Sequence, residues 1–150
     1  MKRYRSAEIP AENIDKWGKT FVRVYELQGP AAFEKYQYSI ANMLCLRANQ
    51  KLGEKLLEYV KDISEPKDVL LDVLTAIMLD DLMNINSRIL AVAALRELVP
   101  KISPYARYTR ESVLRAMKDS INSPQTPVLH EAVANALKSI NREMQTNTLR

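Results

Sequence analysis

The stretch 69–99 contains the most apolar segment of the chain, and it limits the possible folds more than any other feature. Its first half, residues 69–79, is apolar at every position except Asp72 and Thr75. A helix that is apolar on nearly every face has to be surrounded by other protein, because water would otherwise meet a wide hydrophobic surface. Its second half, after Asn84, is rich in alanine, which allows neighbouring helices to approach closely. We therefore predict that this stretch forms a helical hairpin at the centre of the core.

The rest of the composition also indicates an all-α protein. The 150 residues are 47% apolar and 27% charged, include only three glycines, and contain no Asn-Gly or Asp-Gly pair for a tight β-hairpin. We predict one domain of antiparallel helical hairpins over 9–145, with six to seven helices arranged as a regular stack or an irregular bundle. A basic flexible tail at 1–8 precedes the domain, and a frayed end at 146–150 follows it.

Local signals in the first half predict where its helices begin and end. The pair Gly29-Pro30 ends a first helix with Trp17 and Phe21 on its buried stripe. Pro30 opens a second helix, whose buried stripe is expected to include Tyr36. The apolar positions that follow are out of phase with this stripe, so a break is expected around 48–50.

The second half contains similar signals. Ser64 is expected to cap a helix that continues to about Leu82, and Asn84 or Asn86 caps the next helix, which Pro100 terminates. Later caps are expected at Thr109, before a helix over 110–122, and at Thr126, with Pro127 in the first turn of the last helix.

Two helices of the second half can be aligned at a constant offset of 42 residues. In the first, Arg88 is followed by Ala91, Ala94-Leu95 and Leu98; in the second, His130 is followed by Val133, Ala136-Leu137 and Ile140. This half of the chain, 67–142, resembles HEAT and armadillo-type helical repeats, whose period is about 40–47 residues. The resemblance implies a scaffold or binding surface and no particular chemistry. An irregular bundle with two similar hairpins remains the alternative.

The residue inventory argues against an enzyme or a metal protein. The single Cys45 and single His130 cannot form a zinc cluster or a disulfide. Cys45 lies in an apolar segment, where a buried inert thiol is expected, and His130 is expected to be half-exposed. Asp80 and Asp81 diverge by about 100° on a helix, which aims them poorly at one ion. No nucleotide-binding or nucleophile motif is present, so we predict no catalytic site, no metal and no cofactor.

The distribution of charge along the sequence is the feature that indicates a function. The net charge is +4, yet 51–81 has four lysines and eight acidic residues, whereas 101–118 has five basic residues and one acidic residue. Arginines bind phosphates and tyrosines stack on bases, so the tyrosine-containing basic group indicates a nucleic-acid surface. The predicted site consists of residues in this group and in the basic tail: Lys101, Tyr105, Arg107, Tyr108, Arg110, Arg115, Lys118, Lys2, Arg3 and Arg5. The alternative is that both tyrosines lie in the core and the arginines only aid solubility.

Two functions are compatible with this pattern. The leading one is a binding module that contacts the backbone of DNA or RNA with little sequence preference, or an acidic protein surface. The alternative is an assembly subunit that docks onto another protein, or onto a second copy, through its acidic middle and the basic segments 1–25 and 101–118. A polar pocket around His130 or Asp80 would instead favour an enzyme. No signal peptide or membrane-spanning run is evident, so we expect a soluble cytoplasmic protein without membrane contact.

Overall fold

A computed structural model describes residues 11–46, 50–123 and 126–148. Within these ranges the chain is all-α with no strand, which confirms the predicted class. Eight α-helices are present there, because the predicted second helix is interrupted at Tyr36 and forms two. They are α1 (Ala11–Gln28), α2 (Ala31–Lys35), α3 (Gln37–Leu46), α4 (Gln50–Val60), α5 (Asp68–Leu79), α6 (Ile85–Leu98), α7 (Arg107–Asn122) and α8 (Pro127–Thr148). Two short 3₁₀ turns, Val99–Lys101 and Pro104–Ala106, join α6 to α7.

Several helix ends lie where local chemistry predicts them. Gly29 has a φ of 81°, and its N–H donates to the Tyr25 carbonyl at 2.7 Å to close α1. Pro30 then precedes α2. Asn84 caps α6, since its Oδ1 accepts from the Asn86 N–H at 2.8 Å. Pro127 is the first residue of α8.

Other predicted ends are wrong. Lys67, not Ser64, precedes α5, and α5 ends at Leu79, which leaves Leu82 outside it and 94% exposed. Thr109 lies inside α7, where its hydroxyl donates to Asp68 Oδ1 at 3.1 Å instead of capping the helix. The break expected around 48–50 falls largely outside the described residues, between the end of α3 and the start of α4. The basic tail also lies outside them.

The helices pack in two layers. One layer contains α3, α5 and α7, with α5 packed against both of the others; the second contains α1, α4, α6 and α8 in that spatial order. The hairpins α3–α4, α5–α6 and α7–α8 connect the layers. The α5–α6 hairpin therefore has neighbours on both sides, as its apolar sequence predicts. No helix within the described ranges is long and apolar enough to cross a membrane.

The same pattern of buried positions recurs in three helices of the second layer, α4, α6 and α8. Leu56 of α4, Ala91 of α6 and Val133 of α8 are each 1% exposed or less. One turn later, Val60, Leu95 and Leu137 are buried as well, followed by Ile63, Leu98 and Ile140. The pattern seen in the sequence of α6 and α8 therefore extends to α4, because each of these helices presents one stripe to the same core.

The centre of the core is α5. It buries seven apolar side chains, namely Val69, Leu70, Leu71, Val73, Leu74, Ile77 and Met78. Burial is not complete around the helix, since Ala76 and Leu79 are exposed. At the end of α5, the buried Arg88 of α6 donates from Nε to the Met78 carbonyl at 2.9 Å. This bond satisfies a carbonyl that the end of the helix leaves without an intrahelical partner.

An aromatic cluster attaches α1 to the rest of the fold. Tyr25 stacks on Tyr59 with ring centroids 4.0 Å apart, and Phe33, which is fully buried, packs 5.1 Å from Tyr25. The Tyr25 hydroxyl donates to Asp62. This hydrogen bond, with burial and the negative charge of Asp62, raises the pKa of Tyr25 to about 12.

The buried face of α1 differs from the predicted one. Gly18 and Val22 are buried, whereas Trp17 is 46% exposed. A Cβ at position 18 would overlap the Leu52 side chain of α4, so a larger residue there requires that side chain to shift. The close contact turns the Gly18 side of the helix towards α4 and leaves the indole of Trp17 at the surface.

Candidate nucleic-acid interface

The candidate interface is the outer face of α7 with the turn before it. Val113, Met117 and Ser120 are the buried residues of α7. At about 100° per residue, Arg115 and Lys118 lie on the opposite side of the helix. Both are exposed. We use the name α7 face for Tyr105 in the preceding turn together with Arg107, Tyr108, Arg115 and Lys118.

The two tyrosines of the α7 face lie fully in solvent. Tyr105 is 100% exposed and Tyr108 is 87% exposed. Tyr105 belongs to the turn Pro104–Ala106, which Ser103 caps by accepting from the Tyr105 N–H at 3.2 Å. The alternative in which both rings lie in the core is therefore wrong. Each ring has a free surface on which a flat partner can stack.

The cations of the α7 face are available to a partner. Arg107 Nε lies 2.9 Å from Glu111 Oε1, but both side chains are at least half exposed, and a pair of this kind on a helix contributes only about 0.3–0.5 kcal/mol. Arg115 and Lys118 form no ion pair or side-chain hydrogen bond with the described residues. A phosphate can therefore bind to them without first displacing a strong internal partner.

Two other predicted site residues have structural partners. Lys101 Nζ donates to the carbonyls of Lys61 and Ile63, both at 3.0 Å, just after the end of α4. Arg110 is half-buried and donates to the Ile102 carbonyl at 3.4 Å, while its buried Nε has no hydrogen-bond partner among the described residues. These contacts hold the α6–α7 connection against the core.

The described basic residues near the N-terminus, which lie on α1, do not extend the α7 face. Lys2, Arg3 and Arg5 lie outside the described residues. Lys16, Lys19 and Arg23 are exposed on α1, which packs against α2, α3 and α4 at the end of the molecule opposite α7. The exposed cations of α1 and those of the α7 face therefore lie on separate surfaces.

An acidic groove borders the α7 face on its α5 side. It has a volume of about 300 Å³, and Asp68, Asp72, Thr75, Tyr108 and Ser112 are among the residues that line it. Partial burial and the neighbouring Asp68 charge raise the pKa of Asp72 above its usual value. An anionic partner is repelled from this side, so the surface open to it runs from Tyr105 along α7, away from α5.

The residues considered for catalysis or metal binding are dispersed. Cys45 is exposed, contrary to the prediction, because it lies about 120° round α3 from the centre of the buried stripe formed by Ile40 and Leu44. His130 is exposed in the first turn of α8. Asp81 pairs with Arg88 at 3.7 Å. No group of three or more histidine, cysteine or acidic side chains that could hold a metal ion occurs among the described residues.

Comparison with known proteins identifies no relative of this chain. No family model, curated protein or solved structure matches the chain. The resemblance to HEAT and armadillo-type repeats stays a prediction.

Proposed function

We propose that this protein is a non-catalytic helical module that binds single-stranded nucleic acid through the α7 face. Tyr105 and Tyr108 stack on bases, and Arg107, Arg115 and Lys118 neutralise phosphates. The observation that carries the proposal is the nearly complete exposure of two tyrosine rings on the same face as cations that have a weak partner or none within the described part of the chain. Stacking of this kind contributes about 1–3 kcal/mol per base and accepts any base, because every base has a flat face.

The number of cations sets the expected salt dependence. Each phosphate neutralised on a single strand releases about 0.7 counterion, so three contacts predict a slope near −2 for log affinity against log salt. Binding through the tyrosines alone would be much less sensitive to salt. The slope therefore measures how far the arginines and the lysine take part.

Fluorescence anisotropy of a labelled oligothymidylate at several salt concentrations tests the proposal. We expect the double variant Arg115→Glu/Lys118→Glu to bind at least about tenfold more weakly than the parent, with a smaller salt slope. The matched control is Lys51→Glu/Lys55→Glu, which makes the same charge change on exposed positions of α4. Equal loss in both variants, or no binding by the parent at low salt, would refute the proposal.

The second candidate function is docking onto another protein. The separation of the α1 cations from those of the α7 face supports it. The α7 face adjoins the exposed acids Asp68 and Asp72, so this side of the molecule presents both signs of charge. Such a surface can pair with a complementary protein, including a second copy of the chain. Sedimentation velocity without nucleic acid distinguishes this function: association that weakens with salt and with Arg115→Glu/Lys118→Glu supports docking, and a salt-independent monomer argues against self-docking.

A further inference from the structure

We infer that a groove between α1 and the α2–α3 corner is a second contact for single-stranded nucleic acid, and that it takes a base. Its aromatic lining is Trp17, Phe21 and Tyr36, and its polar lining is Lys16, Thr20 and Ser39. The groove has a volume of about 490 Å³. The inference shares its partner with the proposed function but rests on different residues at the opposite end of the molecule.

The aromatic rings form an incomplete cluster at the surface. Phe21 and Tyr36 pack with centroids 5.6 Å apart, whereas Trp17 and Tyr36 remain 46% and 44% exposed. These two large rings on one groove present flat apolar area that no described residue covers. A nucleobase is flat, aromatic and polar only at its edge, so it can fill such a groove while its edge stays in water.

The charges beside the groove favour an anionic strand. Lys16 lines the groove, and Lys19 and Arg23 lie within about 60° of Lys16 on its side away from Trp17, with the exposed Glu26 one turn beyond Arg23. With a rise of 1.5 Å per residue, the three cations extend over about 10 Å along the helix. A row of this length suits successive phosphates of a strand better than the clustered phosphates of one free nucleotide.

The position of Trp17 makes the inference directly measurable. It is the only tryptophan in the chain, so the intrinsic fluorescence reports on this groove. We expect an oligothymidylate to quench the fluorescence of the full-length protein in a saturable way. Tyr36→Ala and Lys16→Glu should each raise the half-saturation concentration by about fivefold or more. Lys16→Glu changes an exposed residue, so it remains informative if Tyr36→Ala fails to fold.

Matched controls isolate the groove from its surroundings. Tyr38→Ala removes an exposed ring that lies outside the groove, near Lys67, and Lys55→Glu reverses a charge on α4. Both should leave the half-saturation concentration within about twofold of the parent. A variant lacking residues 1–8 should still be quenched, whereas loss of quenching in that variant would assign the effect to the tail and overturn the inference.

Other ligands give different outcomes. Equal quenching by thymidine monophosphate at the same concentration would indicate a free-nucleotide site, and quenching by oligoglutamate in place of the oligonucleotide would indicate a protein partner; each overturns the inference. The two surfaces also fail separately. If Arg115→Glu/Lys118→Glu binds the oligothymidylate normally while Tyr36→Ala does not, the result supports the groove and refutes the proposed role of the α7 face. An oligonucleotide that binds without changing Trp17 fluorescence refutes the groove.

Discussion

The two ends of the molecule use the same residue types for different purposes. At the N-terminal end, Tyr25 and Tyr59 stack on each other beside a fully buried Phe33, and Tyr25 bonds to Asp62. At the C-terminal end, Tyr105 and Tyr108 are almost fully exposed, and Tyr108 also borders the groove that Asp68 and Asp72 line. A tyrosine that already has ring and hydroxyl partners contributes to stability, whereas an exposed one is available to a ligand. The burial of a tyrosine and the contacts of its ring and hydroxyl therefore distinguish a structural tyrosine from a functional one. Residue type alone does not make this distinction.

The largest expected contrast is in stability. Phe33→Ala should lower the free energy of unfolding by about 3–5 kcal/mol, because it leaves a cavity in the aromatic cluster. Tyr105→Ala should change it by less than about 0.5 kcal/mol, since a fully exposed ring makes few contacts to lose. Urea denaturation followed by circular dichroism measures both. Similar values for the two variants would remove the distinction between the ends.

The arginines should show a smaller contrast of the same kind. Arg88→Ala removes the buried donor to the Met78 carbonyl, at an expected cost of about 2 kcal/mol. Arg115→Ala should lie within about 0.5 kcal/mol of the parent and instead weaken oligonucleotide binding. Thermal unfolding and anisotropy on the same preparations separate the two effects. A destabilised Arg115→Ala, or an Arg88→Ala of unchanged stability, would contradict the assignment.

The smallest predicted effect is a dependence of stability on pH. The pKa of Tyr25 is raised to about 12 in the folded protein, above its ordinary value of 10.0. The neutral hydroxyl therefore stabilises the fold fully below pH 10, and this contribution is lost as the pH rises towards 12. The stability difference between the parent and Tyr25→Phe should thus be constant from pH 7 to 9 and shrink by pH 11.

Tyr105→Phe is the control for this measurement. Tyr105 is fully exposed, and its hydroxyl has no hydrogen-bond partner among the described residues, so Tyr105→Phe provides the background for loss of a tyrosine hydroxyl outside the aromatic cluster. A difference for Tyr25→Phe that widens as the pH rises would contradict the hydrogen bond to Asp62.

The helix ends at Gly29, Asn84 and Pro127 were predictable from sequence, whereas other ends and the orientation of individual helices were not. Gly29 and Asn84 act through their own backbone preferences and side chains, so their effects are local. The spacing of Trp17 predicts that it lies in the core, but α1 packs on α4 with Gly18 beside Leu52, and Trp17 is left at the surface. That contact joins residues distant in sequence, and the period of one helix contains no information about it.

Only part of the candidate site was predictable from the sequence. The cluster of basic residues at 101–118 is evident in the sequence, and so are its tyrosines. Lys101 and Arg110, however, bind backbone carbonyls of neighbouring segments, and only the packed fold brings those carbonyls within reach. The groove at Trp17 was missed altogether, because an exposed tryptophan beside a buried glycine follows from helix packing rather than from composition.

The most direct test of the account is an NMR titration that follows the ring signals of the seven tyrosines while oligothymidylate is added. The account predicts that the signals of Tyr105 and Tyr108 shift together and saturate, and that those of Tyr25 and Tyr59 stay in place. Movement of the Tyr25 and Tyr59 signals without movement at Tyr105 and Tyr108 would contradict it.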